Sequence, residues 1–145
     1  MKYKYTKQEA FDKVVEHLIT QGKPAKLGNT KYCSYQTPAG LRCAAGCLIE
    51  DKKLLKLAKK IGSWEDVVSK IDEIKKLANP SFIQNLQSCH DQGRVDEKGN
   101  TLGNPDPQNW RENWFLEMLD IAEANNLEST KLKKLATKKW RSVKL

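Results

Sequence analysis

A chain of 145 residues has the length of one ordinary domain, and its 39% apolar and 30% charged residues suit a water-soluble protein with a buried core. No run approaches the roughly 18 apolar residues of a membrane span, and MKYKYTKQEAFDKVV at the start offers no apolar stretch for a signal peptide. The net charge of +8 is concentrated: residues 129–145 hold seven basic side chains and no acidic one, leaving 19 Lys/Arg against 18 Asp/Glu before them. Four cysteines without a secretory signal read as thiols of a reducing cytosol, which excludes a secreted disulfide scaffold.

Thr6 and Glu9 have the spacing of a capping box, and Ala10, Phe11, Val14, Val15, Leu18 and Ile19 form one helical stripe that stops at Gly22. His17, beside that stripe, reads as a surface residue. QGKPAKLGNT is a loop, KYCSYQ at 31–36 alternates as a short β element, and Thr37-Pro38-Ala39-Gly40 is a turn. The apolar LRCAAGCLI is either a buried helix or a second strand, and Leu41, Ala44 and Ala45 favour the helix. Asp51 caps a helix that ends at Gly62, Ser63 opens another running through Leu77, and Ser81 opens FIQNLQSCHDQ, ended by Gly93. Residues 93–106 are the longest irregular stretch, either a hairpin around Lys98-Gly99-Asn100 or a binding loop. Asp106 and Pro107 start a long helix to about Asn125, with Trp110, Trp114, Met118, Ile121 and Ala122 on its apolar face. A basic amphipathic helix follows at about 129–145. With no internal repeat and no linker, the expected class is mainly α: a single small helical domain over 1–145, of five to seven helices with a short β element near residues 31–36.

The segment CSYQTPAGLRCAAGCLIED carries the most distinctive chemistry. Its thiols read in three ways. They are small core hydrophobes, with Ala-Ala-Gly admitting another element closely. Alternatively Cys43 is a nucleophile at a helix N-terminus, His90 its base and Asp91 the group that orients the imidazole. Or Cys43 and Cys47, one helical turn apart, bind zinc with Cys33 and His90, although no C-x-x-C knuckle is present. His90 falls on the apolar face formed by Phe82, Ile83, Leu86 and Cys89 and should point inward. Arg42, Lys31 and Tyr35 flank the segment, and an exposed helix N-terminus after Gly40 would, with Arg42, seat an anion.

Cys33, Tyr35, Gly40, Cys43, Ala44, Gly46, Cys47, Leu48 and Ile49, together with Leu86-Gln87-Ser88-Cys89-His90-Asp91, resemble a signature of small, largely uncharacterised bacterial and phage proteins. Those proteins pair a C-x-Y…G-x-x-C-A-x-G-C-L-I segment with a later LQ-x-x-HD, and the apolar helix at 114–122 is similar too. The resemblance spans roughly residues 8–125 and implies common ancestry without bringing an activity with it.

At the basic end, Leu132, Leu135, Ala136, Trp140 and Val143 fall within an arc of about 140° if the segment is helical. All the basic residues except Lys139 lie opposite, so one face should dock while the other presents a Lys/Arg strip. The expected function is a cytoplasmic, non-enzymatic binding protein of the phage or mobile-element kind, in host cytoplasm if phage-encoded, for an anionic partner, nucleic acid or nucleotide. Its expected ligand-binding side chains are Tyr35, Arg42, Lys133, Lys134, Lys138, Trp140 and Arg141, with bases stacking on aromatics and phosphates on cations. The alternatives are a cysteine-dependent hydrolase or transferase using Cys43, His90 and Asp91, and an interaction module that inhibits a host protein. No cofactor is expected, zinc on Cys33, Cys43, Cys47 and His90 being the alternative. A membrane partner ranks lower because the apolar face of the last helix is needed for packing.

Overall fold

The computed structural model describes residues 2–23, 25, 35–92 and 107–140, with the backbone alone for 91, 92 and 107–110. Among the described residues eight helices follow one another: α1 (Lys7–Gln21), α2 (Ala44–Leu48), α3 (Lys52–Ile61), α4 (Trp64–Lys70), α5 (Asp72–Lys75), α6 (Pro80–Gln92), α7 (Pro107–Ala124) and α8 (Thr130–Lys139). The class is mainly helical, as composition and periodicity predict.

Local chemistry sets most of the boundaries. The Thr6 hydroxyl accepts the Glu9 N–H while the Glu9 carboxylate accepts the Thr6 N–H, and Gly22 ends α1 at φ 72°, a left-handed cap. Asp51 accepts the N–H groups of Lys53 and Leu54 at the start of α3, and Ser63 accepts that of Asp66 at the start of α4. Two boundaries depart from expectation. The stretch opened by Ser63 is two helices, because Ile71 takes an extended conformation (φ −119°, ψ 100°) that ends α4 and begins α5. This raises the count above the five to seven expected. Helix α6 starts one residue before Ser81, at Pro80, whose missing N–H costs nothing in a first turn, with Asn79 Oδ1 accepting the Phe82 N–H.

No strand occurs among the described residues. Gln36 and Arg42 form one isolated antiparallel bridge across the turn at 37–40, where Gly40 N–H donates to Thr37 O and Thr37 N–H to Leu41 O. Of the β element expected at 31–36, residues 31–34 lie outside the described residues, as does the segment 93–106.

Helix α1 is the hub: α2, α6 and α8 pack on it, α7 lies on α6 and α8, and α3 and α5 both pack on α4. Its stripe of Ala10, Phe11, Val14, Val15, Leu18 and Ile19 is buried throughout. Helix α8 docks with Leu132 and Ala136 buried, as its periodicity predicts. Just beyond it, Trp140 donates from Nε1 to Ile19 O at 3.2 Å and meets Trp114 edge-on, centroids 5.4 Å apart. Arg111 of α7 donates from Nε to Gly22 O, where a cation is favoured at the C-terminus of α1, and its guanidinium lies 5.7 Å from the Trp140 ring.

Helix α2 is only five residues, all buried. The backbone of Tyr35 lies directly on it: a Cβ on Gly46 would sit 1.9 Å from Tyr35 O and 2.8 Å from Tyr35 C. Both obstacles are backbone, so neither can swing aside. Gly46→Ala should therefore cost about 3 kcal/mol or more, whereas Gly40→Ala, strained by φ +90° but meeting no atom within 4 Å, should cost about 1–2 kcal/mol. Denaturant midpoints of the two variants measure the difference.

Candidate functional site

The cysteine segment and the LQ-x-x-HD helix meet, since α2 packs on α6. Cys43 is the N-cap of α2, and its Sγ accepts the Gly46 N–H at 3.3 Å. Cys47 Sγ donates to Ala44 O at 3.1 Å, and burial pushes its thiol up to about 12. Cys89 is likewise pushed up to about 12, first by burial and then by the carboxylates of Glu117 and Asp120. All three are free thiols and buried. Cys33 lies outside the described residues.

Two glutamines join the helices through backbone groups. Gln21 of α1 accepts the Arg42 N–H at 2.8 Å and donates to Arg42 O at 3.0 Å, gripping the residue that precedes Cys43. Gln87 of α6 accepts the Ala45 N–H at 3.1 Å, and its Nε2 lies 3.5 Å from His90 Nδ1. His90 is fully buried, facing inward as its position on α6 predicts. Its Nε2 accepts the Ala25 N–H at 2.9 Å.

This arrangement bears on each expected site. A thiol base must offer a lone pair to the thiol proton. The Nε2 lone pair of His90 is already held by an amide, and the side chain of Asp91 lies outside the described residues. Among the described residues no three His, Cys, Asp or Glu side chains converge as metal ligands, and Cys33 of the expected zinc set lies outside them. At the helix N-terminus where an anion seat is expected, Arg42, Ala45 and Gly46 have their N–H groups bonded to Gln21, Gln87 and Cys43. Tyr35, expected at the ligand, directs its hydroxyl to Gly62 O at 2.6 Å.

His17 is corrected. It is half-buried, against Gln21 Oε1 at 3.0 Å, and with Lys13, Glu16, Thr20 and Cys47 it lines an open cavity of about 380 Å³. Because Gln21 Oε1 also accepts the Arg42 amide, His17 Nε2 is the donor. Burial lowers its pKa, and the charge of Arg42 lowers it further, against the opposing hydrogen bonds to Gln21 Oε1 and the Arg42 backbone.

At the other candidate surface, Lys133, Lys134, Lys138 and Lys139 of α8 are exposed, and Lys131 pairs with Glu16 at 2.9 Å. Lys139 reaches solvent despite falling on the apolar arc, because α8 ends there. Trp140 must be withdrawn as a stacking residue: it is 3% exposed and spends its edge on Ile19 O. Trp64, which is not on the apolar face of a long helix, is also buried and donates to Pro80 O. Arg141 lies outside the described residues. Motif and spacing do not single out Gln21, and Gln87 enters only as a member of the LQ-x-x-HD motif with no role attached to it. Nor do they single out the lysines of α3, whose charge cancels when the first 128 residues are summed.

Comparison of the chain with family models, with curated proteins and with solved structures yields no match.

Two measurements check this geometry. In a Cys33→Ser background, thiol-reagent labelling of Cys43, which is 2% exposed, should at neutral pH proceed only as fast as the protein opens. Rapid labelling of Cys43 in the folded state would contradict the packing. The second concerns pH. Since His17 binds a proton less readily when folded than at its ordinary value of 6.5, the unfolded chain takes up more protons as pH falls. Stability should therefore be fully present above about pH 6.5 and decline below it, and His17→Gln should reduce that decline in chemical denaturation from pH 7.5 to 5.

Proposed function

We propose that this protein binds an anionic polymer, nucleic acid before nucleotide, through the lysine face of α8, and that it does so as a cytoplasmic binding protein of the phage or mobile-element kind, with no chemistry of its own. The reading rests on α8. Its apolar side chains Leu132 and Ala136 are consumed by packing, while Lys133, Lys134, Lys138 and Lys139 remain in solvent on a helix with no acidic residue. Cations held by a docked helix keep a fixed spacing and can meet successive phosphates.

The burial of Trp140 sharpens the reading, since contact through α8 then runs to phosphates and not to base faces. Sequence preference should accordingly be slight. No helix among the described residues is long and apolar enough to cross a membrane. The docked apolar face of α8 also leaves nothing there to insert into a lipid surface.

The test is the triple variant Lys133→Gln, Lys134→Gln, Lys138→Gln, titrated against duplex DNA at several salt concentrations. Wild-type affinity should fall steeply with salt, and the slope of log K against log salt should shrink by about 0.9 for each phosphate that the variant no longer neutralises. Thermal stability should hold or rise slightly, because like charges are removed from an exposed face. Salt-independent binding, or binding unchanged in the variant, would remove α8 from the interaction.

A further inference from the structure

Two large apolar side chains stand out of the surface among the described residues: Leu57 at 47% exposure and Leu116 at 59%. They sit in surroundings of opposite charge. On α3, Lys53 precedes Leu57 by four residues and Lys60 follows it by three, so both share its face, with Lys56 adjoining. All three lysines are exposed, α3 holds no acidic residue, and half-buried Leu54 and Ile61 widen the apolar strip on the other side of Leu57. On α7, Asp120 follows Leu116 by four residues and Glu123 by seven, both exposed and on its face, with half-buried Glu117 beside it.

Helix α3 packs on α4, and α7 on α6 and α8, so neither leucine serves as the other's partner within one chain. A phosphate backbone would engage the lysines of α3 but gains nothing from Leu57, and it would be repelled by the carboxylates around Leu116. A second copy of the chain satisfies both patches at once. An apolar centre with a charged rim on each side, the rims of opposite sign, is the composition of a specific protein interface.

We propose that copies of this chain associate head to tail, α3 of one copy lying on α7 of the next, with Leu57 against Leu116 and Lys53, Lys56 and Lys60 facing Glu117, Asp120 and Glu123. The two patches differ, so the contact is heterologous. Each added copy leaves one patch of each kind open, and assembly continues unless the rotation closes a ring. One leucine per face buries less than a standard interface, and chains of charge +8 repel at long range, so the association is weak and depends on concentration.

The experiment is sedimentation of the full chain over a concentration series, with two charge-reversed variants whose folding is checked by circular dichroism. One carries Lys53→Glu and Lys56→Glu, the other Asp120→Lys and Glu123→Lys. Wild-type weight-average mass should rise with concentration, and each variant alone should remain monomeric. Mixed in equal amounts, they should associate again, because the acidic α7 of the first meets the basic α3 of the second, and the reversed faces, acidic α3 and basic α7, complement each other as well. Leu57→Asn or Leu116→Asn should weaken wild-type association without altering charge. Substituting the α8 lysines should not weaken it, which separates this interface from the binding of an anionic polymer. A mixture that stays monomeric, or variants that associate like the wild type, would overturn the proposal. A wild-type chain that stays monomeric while the α3 variant loses duplex affinity would do so as well, assigning the lysines of α3 to the anionic partner.

Discussion

A five-residue helix cannot satisfy itself. In α2 the amides of the first turn and the carbonyls of the last have no partners within the helix, yet Ala44, Ala45, Gly46, Cys47 and Leu48 are all buried. Burial without partners would cost more than the packing returns, so the neighbouring helices supply what water cannot. Gln21 reaches from α1 to both backbone groups of Arg42, Gln87 reaches from α6 to the Ala45 amide, and the Cys43 sulfur accepts the Gly46 amide. The absent side chain of Gly46 then lets the Tyr35 backbone lie against α2. These contacts fix how α1, α2 and α6 sit together, and α8 and α7 dock on the resulting body.

The same constraint governs the chemistry of the interior. Sulfur, imidazole and carboxamide groups that look like a reaction centre along the chain are spent on the backbone. His90 is the acceptor of the Ala25 amide, Cys43 is a cap, and Cys47 is a protonated donor whose thiol burial holds far from the thiolate. Polar side chains in a low-dielectric core rigidify it when each has a partner.

Charge is left to the surface, and there it is sorted by helix. Lysines crowd α3 and α8, while the exposed face of α7 carries Asp120 and Glu123 around an open leucine. A near-zero sum over the first 128 residues conceals this sorting, because summation along a chain averages what helix packing separates in space. The lysine face of α8 and the exposed faces of α3 and α7 are distinct surfaces.

Much of this was legible in the residues. Capping side chains, the α1 stripe, the inward turn of His90 and the amphipathic docking of α8 all follow from local hydrogen bonding and a 3.6-residue period, which depend on neighbours in the chain. The break at Ile71 escaped that logic, since Val67, Val68, Ile71 and Ile74 keep helical spacing through it. The roles of Gln21, Gln87 and Trp140 escaped it too. Their partners are 21, 42 and 121 residues away, and periodicity says which way a side chain points without saying what it meets. Local sequence therefore determined where the helices lie and which faces they bury. Only the tertiary structure decided that the cysteine and histidine motif braces a buried backbone, because a polar group's use is set by the partner that burial forces upon it.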